Sequence, residues 1–468
     1  MMNKKLIALI TVVLFTFFNC ISTHVEEVVP GKSIPRGKAP SLKILGVVTT
    51  SDKWIEFNGK PGRIVLTAIE GEVTDGTGKT VKRISIPLNE VKRVWLRKPR
   101  GFGSGVLLPI VGVFGFIAAL GIIALAAADP FCPFIYSFDG NAYTLDAEPF
   151  AGAIGPGFKR TEWKVLSSLA EVNRQYRLMA INEVDAADYI DHLQLLAVDH
   201  PRGVIVVPGI SGAVHTVTDP AAPLKAYDPD GKDLLPFVVN NDEVYWQADD
   251  EGQETAGAVE SKTELIFEFP RPKGAAEAKV IFKGCNSFWG AGVLKRRLAM
   301  YGKNAAAVLE EIKNQGPAFF AIKDMLAAEE ALSLQLRVET TDGWKTMGSI
   351  AGGSPLAPGT LVYPVDLSGV TGDILRIKLT PPAASWMIDY IAVDYSRDLP
   401  VKVAALQAVH SKLLAARDDC YLKLSPMGAS VLLIFNSPPR CPGMERTIIL
   451  ETGGYYDIHP DSIAQPRQ

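Results

Sequence analysis

The chain has 468 residues and a formal net charge of −3, from 48 basic against 51 acidic side chains. That near-balance excludes a protein held to nucleic acid or to an anionic surface by its overall charge. The length suits roughly two to four domains, and 41 glycines and 32 prolines without a low-complexity tract suit a strand-rich globular body.

Residues 1–20 read as an export signal. Lys4 and Lys5 precede an apolar stretch at 6–18, too short for a comfortable membrane span, and Cys20 follows it. A cysteine at that place resembles the lipoprotein signal, in which it becomes the site of lipid attachment. The residues before it, Phe17, Phe18 and Asn19, depart from the usual small-residue pattern. An ordinary signal peptide with an incidental cysteine is the other reading. Residues 21–41 are polar, contain Pro30, Pro35 and Pro40, and read as a tether.

Residues 42–98 form a small β-rich, barrel-like domain of about five short strands. An uncharged, glycine-rich run follows at 104–128, long enough as a helix to cross a bilayer core of about 30 Å. Gly112, Gly115 and Ala119 would let a second helix approach, which is a route to oligomerisation. Lys92, Arg93, Arg97, Lys98 and Arg100 precede the run, and the positive-inside rule puts such a cluster in the cytoplasm. If residues 6–18 export the chain, that cluster lies on the wrong side of a full span. The run then either lies in the membrane without crossing, or crosses and returns the remainder to the cytoplasm, or the first segment does not export. A buried core helix is the remaining alternative.

Residues 130–270 are expected to form a β-rich domain, opening with a hairpin around Asp139, Gly140 and Asn141. Residues 271–331 switch to helical periodicity at 294–301, 305–313 and 319–331 and read as a helical insertion. Strands return in a sandwich-like region at 332–398. Residues 399–468 are expected to give a helix at 403–415 and then strands. The fold class is therefore mainly β with a helical insertion: a barrel-like domain, a glycine-rich apolar membrane segment, then β-sandwich-like domains.

The chemistry-bearing candidates are few. Asp228, Asp230 and Asp233 lie close together and are the kind of oxygen cluster that calcium takes, although glycine falls at the wrong place for an EF-hand loop; a solvated turn is the plainer reading. Cys420 and Cys441 would close a short loop as a disulfide in an oxidising compartment, worth about 3 kcal/mol. Free thiols are the alternative. His192 and His200 each follow an aspartate, His215 lies on a strand, and Ser211 sits in a loop that lacks the final glycine of a nucleophile elbow. Asp146 and Glu148 would suit an acid/base pair or turn roles. Trp163, Trp246, Trp289, Trp344 and Trp386 would suit sugar stacking or the core. Neither a phosphate-binding loop nor a zinc-protease motif is present.

From Cys132 onward the chain resembles a family of uncharacterised bacterial envelope proteins. The resemblance rests on residues 132–150 (CPFIYSFDGNAYTLDAEPF), 188–201 (DYIDHLQLLAVDHP), 386–395 (WMIDYIAVDY) and 446–456 (RTIILETGGYY). It implies a cell-envelope location and transfers no catalytic residue. Residues 375–379 and 388–393 also look like the closing strands of galactose-binding-type jelly rolls. The expectation is a membrane-anchored, extracytoplasmic envelope protein, in contact with lipid and with a glycan or protein ligand, without catalytic residues or nucleic acid. The alternatives are an envelope hydrolase acting on glycans or peptides, and an assembly factor oligomerising through the glycine-rich segment.

Overall fold

The computed structural model describes residues 133–459 apart from 185, 248–261, 288–289, 291–292, 383–384 and 427, together with seven strand segments and Phe57 before them. Residues 6–18, Cys20, the 104–128 run with Gly112, Gly115 and Ala119, and Cys132 lie outside the described residues. Among the described residues no helix is long and apolar enough to cross a membrane. The chain divides into two compact units, Met1–Ala127 and Ala128–Gln468. The protein is mainly β, with several antiparallel sheets and few, short helices.

In the first unit the strands are β1 (Val25–Glu27), β2 (Lys43–Thr49), β3 (Trp54–Glu56), β4 (Arg63–Val65), β5 (Ala68–Thr74), β6 (Val81–Pro87) and β7 (Val91–Arg97). They form a sheet of order β1-β7-β2-β3 and a second of order β4-β5-β6. Gly71 of β5 leaves the space that the Phe57 ring fills: a Cβ there would lie 2.2 Å from its Cδ1. The two small sheets therefore touch through that ring.

The second unit holds β8 (Phe134–Phe138), β9 (Tyr143–Ala147), β10 (Arg160–Val165), β11 (Gln175–Ile181), β12 (Ala186–His200), β13 (Ile205–Pro208), β14 (Val214–Val217), β15 (Lys225–Tyr227), β16 (Trp246–Gln247), β17 (Leu265–Pro270) and β18 (Glu277–Asn286). Three helices interrupt, and β19 (Ser333–Thr340), β20 (Gly343–Ala351), β21 (Gly359–Asp366), β22 (Ile374–Leu379), β23 (Trp386–Asp394), β24 (Lys402–Gln407), β25 (Leu422–Leu424), β26 (Ser430–Asn436) and β27 (Glu445–Ile458) follow.

Sheets β15-β17-β22-β19-β20 and β16-β23-β18-β21 share one apolar core. Their strands alternate, as β19 shows by burying Leu334, Leu336 and Val338 and turning the residues between them outward. Strands from 130–270 and from 332–398 thus interleave in the same sheets. Two further sheets, β10-β27-β12-β24 with β25 also on β12, and β26-β11-β8-β9, are built from both ends of this unit. The β13–β14 hairpin joins the halves. Val206 and Val214 pack toward Leu196, Val198 and Ile449. Val207 and Val217, on the other face, pack on Ile281, Val362 and Ala392.

The expected hairpin forms: Asp139 Oδ1 accepts the N–H groups of Asn141 at 2.7 Å and Ala142 at 2.8 Å, and Gly140 takes φ +107°. The helical periodicity at 294–331 also holds, as Val293–Ala299, Ala305–Lys313 and Pro317–Glu329. The last starts with Pro317 at its first turn and buries Phe319, Ile322 and Leu326 on one stripe. Two expectations need correction. The expected helical insertion opens instead on a strand: 277–286 is β18, which pairs with both β21 and β23. The helix expected at 403–415 is instead strand β24, pairing Lys402–Gln407 with residues 194–199 of β12, and a 3-10 turn at Lys412–Leu414. An open sheet edge outweighed the alanine-rich helical propensity there.

Candidate functional site

Among the described residues the longest pairing is β12 with β27, and it breaks register once. Ile190 opposes Gly454 and His192 opposes Gly453, so Asp191 is the extra residue of a β-bulge. Glu451, Gly453 and Tyr455 alternate along β27 and share a face; their partners Gln194, His192 and Tyr189 share it too. The paired glycines have a steric cause. A Cβ at 453 would lie 2.1 Å from His192 Cε1, and one at 454 would lie 2.2 Å from the Tyr189 carbonyl oxygen. The imidazole lies across the β27 backbone, where only glycine leaves room.

His192 is buried between two carboxylates. Its Nδ1 lies 3.8 Å from Asp191 Oδ2 and its Nε2 lies 3.7 Å from Glu451 Oε1. Burial and, secondarily, the Arg417 charge push its pKa down, outweighing the two carboxylates, so the ring is held neutral. Lys159 donates to Asp191 Oδ2 at 3.1 Å and to Asp419 Oδ1 at 2.5 Å. Burial disfavours its charge, but these two hydrogen bonds prevail and raise its pKa. Asp419 also receives the Tyr421 hydroxyl at 2.6 Å, and its N–H donates to Asp191 Oδ1 at 2.9 Å. The Lys159 hydrogen bond, first, holds the Asp419 carboxyl below its ordinary range. Arg417 donates to Glu451. Burial alone would raise the Glu451 pKa; the hydrogen bonds from Arg417, Gln194 and Trp163 bring it down. The loop at 408–421 is thus fastened over the sheet by charge pairs at Arg417 and Asp419.

Tyrosines continue the site. Tyr189 stacks on Tyr455 with centroids 4.8 Å apart, and Tyr421 meets both edge-on at 6.1 and 5.2 Å. Lys423 Nζ lies 5.3 Å from the Tyr189 centroid and Lys159 Nζ 5.7 Å from that of Tyr421. Each ring therefore already has partners within the chain.

The sequence-level candidates fall elsewhere or do something else. Asp228 Oδ1 accepts the N–H groups of Asp230 and Lys232, and Asp233 Oδ1 that of Leu235. These are turn-closing bonds. This is the turn reading of the acidic run; among the described residues no three His, Cys, Asp or Glu side chains converge as metal ligands for the calcium alternative. The structure does not bring Cys420 and Cys441 together, and both are free thiols. Cys420 follows Asp419, which is bonded to Asp191, whereas the Cys441 N–H donates to Asp199. Eight residues of β12 separate those anchors by about 26 Å, and a disulfide needs Cα atoms within about 7 Å. Cys285 is a third free thiol, buried.

His200 is satisfied by Thr447 Oγ1 and the Pro201 carbonyl. His215 Nδ1 lies 2.9 Å from Asp398, and its Nε2 edge lies against Gly209. Lys279, itself buried, is 3.2 Å from the same Asp398. Ser211 sits in the exposed turn that joins β13 to β14. Asp146 accepts the Ser168 N–H, and Glu148 is bonded to Ser354; both carboxylates are buried. Trp246 and Trp386 are core, and Trp386 Nε1 donates to the Glu330 carbonyl. Trp163 packs on Gly212 and Trp344 under Lys378, while Trp289 lies outside the described residues. The aromatic cluster is made of tyrosines, not of the tryptophans the sequence offered. Its available signal was the alternation of Tyr189 with Asp191 and of Tyr455 with Gly453.

The chain matches no protein-family model and no curated protein.

Proposed function

We propose that the chain is a cell-envelope protein without catalytic activity, held at the membrane by acylated Cys20 and the 104–128 run. Its C-terminal unit would act as an extracytoplasmic binding or structural module. The observation carrying this reading is the pairing at the β12 bulge. Lys159 is matched by Asp191 and Asp419, and Arg417 by Glu451. Acid/base catalysis needs groups whose environments drive their pKa values apart and that reach a substrate. Here the cations hold Asp419 and Glu451 ionised and spend themselves on fastening a loop. That loop presents Arg417, Asp418, Asp419 and Cys420 to solvent, a polar surface for a glycan or a protein.

The finer architecture belongs to the same proposal. Two small touching sheets support a barrel-like N-terminal domain. The shared core of the five- and four-stranded sheets supports a sandwich resembling a jelly roll. Fold likeness alone assigns no ligand to it.

One observation favours a second reading, an envelope hydrolase. His192 is a neutral imidazole flanked by two carboxylates at a bulge, the arrangement of a general base. Among the described residues no activated nucleophile faces it: the adjacent Thr452 hydroxyl donates to the His192 carbonyl, and the nearby Cys420 thiol is pushed up by Asp418, away from thiolate. Protease treatment of intact cells, permeabilised cells and spheroplasts tests the placement. The C-terminal unit is expected to be cut in spheroplasts; full protection there contradicts the proposal.

A further inference from the structure

Sheet β26-β11-β8-β9 has one closed face, and its other face is covered at β8, where Phe134 and Tyr136 are buried, and opens only toward β26. Inward, Leu178, Ala180, Leu433 and Phe435 are fully buried. Outward, register places Met179 opposite Leu432 and Arg177 opposite Ile434, with Ile181 two residues along. Strand β8 brings Phe138 to the same face, where the Arg177 guanidinium lies 5.7 Å from its ring centroid. Leu432 is 52 % exposed, and Val409, whose N–H donates to the Ile434 carbonyl, is 44 % exposed. The β26 side of this face thus carries two exposed apolar side chains, Leu432 and Val409, beside the half-buried Met179 and Ile434. At one end of β26, Arg174 and Arg440 are exposed, the former tied to the strand end by the Ser437 N–H.

We propose that this face rests on the lipid bilayer. The inference rests on the reading of 104–128 as a membrane segment. That run ends at Ala128, and six residues later the chain enters β8 of this same sheet. Six residues reach at most about 20 Å, and β26 lies two strands, about 10 Å, from β8. Only residues 129–133 of the sequence separate the apolar run from β8. Leu432, Ile434, Met179 and Val409 would enter the headgroup boundary, and Arg177, Arg174 and Arg440 would meet lipid phosphates.

The test uses the full chain in vesicles of phosphatidylcholine and phosphatidylglycerol doped with a photoreactive lipid. Flotation reports the anchor, and mass spectrometry maps the lipid adducts. The expected result is flotation with adducts in 404–411 and 430–436, reduced at least fivefold by Leu432→Glu with Met179→Glu while flotation is unchanged. Both positions face outward, so the double variant keeps the inner core. Flotation with adducts confined to 1–128 overturns the inference and leaves the anchor standing. Exclusion of a water-soluble label from this face without lipid adducts overturns it as well, because protein then covers the sheet. A chain that does not float removes the membrane reading itself.

Discussion

Replacing Gly453 by alanine probes the bulge directly. The added methyl would sit 2.1 Å from His192 Cε1 and 2.6 Å from its Nδ1. Carbon atoms pack best at about 3.5–4.0 Å, so the ring or the strand must give by roughly 1.5 Å. His192 is buried between Asp191 and Glu451 and has little room to turn. Overpacking of this kind costs about 1–3 kcal/mol. Loss of glycine's unfolded-state freedom returns about 0.4–1 kcal/mol. A net loss of about 1–2 kcal/mol is expected for Gly453→Ala. In a His192→Ala background the ring is gone, and the same substitution should be neutral or slightly stabilising. The coupling between the two sites is then about 2 kcal/mol. Urea unfolding of the four proteins in detergent, followed by tryptophan fluorescence, measures it. Equal costs of Gly453→Ala in both backgrounds would refute the packing of this imidazole on β27.

Arg446 and Asp199 form a buried two-pronged pair at 2.6 and 2.9 Å, and the guanidinium also donates to the Pro438 carbonyl. Arg446→Ala should therefore cost about 3–5 kcal/mol in the same assay, because Asp199 is left charged and unpaired; a loss below 1 kcal/mol would contradict it. Hydrogen bonds from Arg446, first, bring the Asp199 pKa from 3.8 down to about 2. Its contribution, about 2 kcal/mol, is thus complete above about pH 4 and fades as the pH falls toward 2. Asp199→Asn should flatten that acid limb of the stability curve, and an unchanged limb counts against the pairing. Calcium should leave the melting temperature of the protein unmoved, since Asp228 and Asp233 are engaged with backbone N–H groups; a rise at millimolar calcium would restore the metal reading. Reduction should not change the mobility or stability of the folded protein through Cys420 and Cys441, and a reductant-sensitive shift lost in Cys441→Ser would show otherwise.

What was legible in the sequence was local. The hairpin at Asp139 is written by turn residues whose own side chain closes the turn. The helix at 317–329 is written by a proline at its start and an apolar stripe. The bulge site was illegible because its parts come from four distant segments: Lys159, residues 191–192, residues 417–421 and residues 451–455. No spacing rule links His192 to Gly453; only the pairing of β12 with β27 does. Segments 188–201 and 446–456 hold the two paired strands of the site but neither Lys159 nor the 417–421 loop. The helix expected at 403–415 failed for the reason of long-range context, an edge of β12 that needed a partner. The acidic run at 228–233 is the turn that was its plainer reading, its carboxylates accepting backbone N–H groups rather than holding a cation.

The central claim is a module that binds or supports without turnover. Its most direct measurement incubates the full chain with purified envelope glycan and scores both retained protein and released soluble fragments, for the wild type, His192→Ala and Arg417→Glu. Retention without fragments is expected, weakened by Arg417→Glu on the exposed loop. Soluble fragments from the wild type that vanish in His192→Ala would contradict it and make the bulge a catalytic centre.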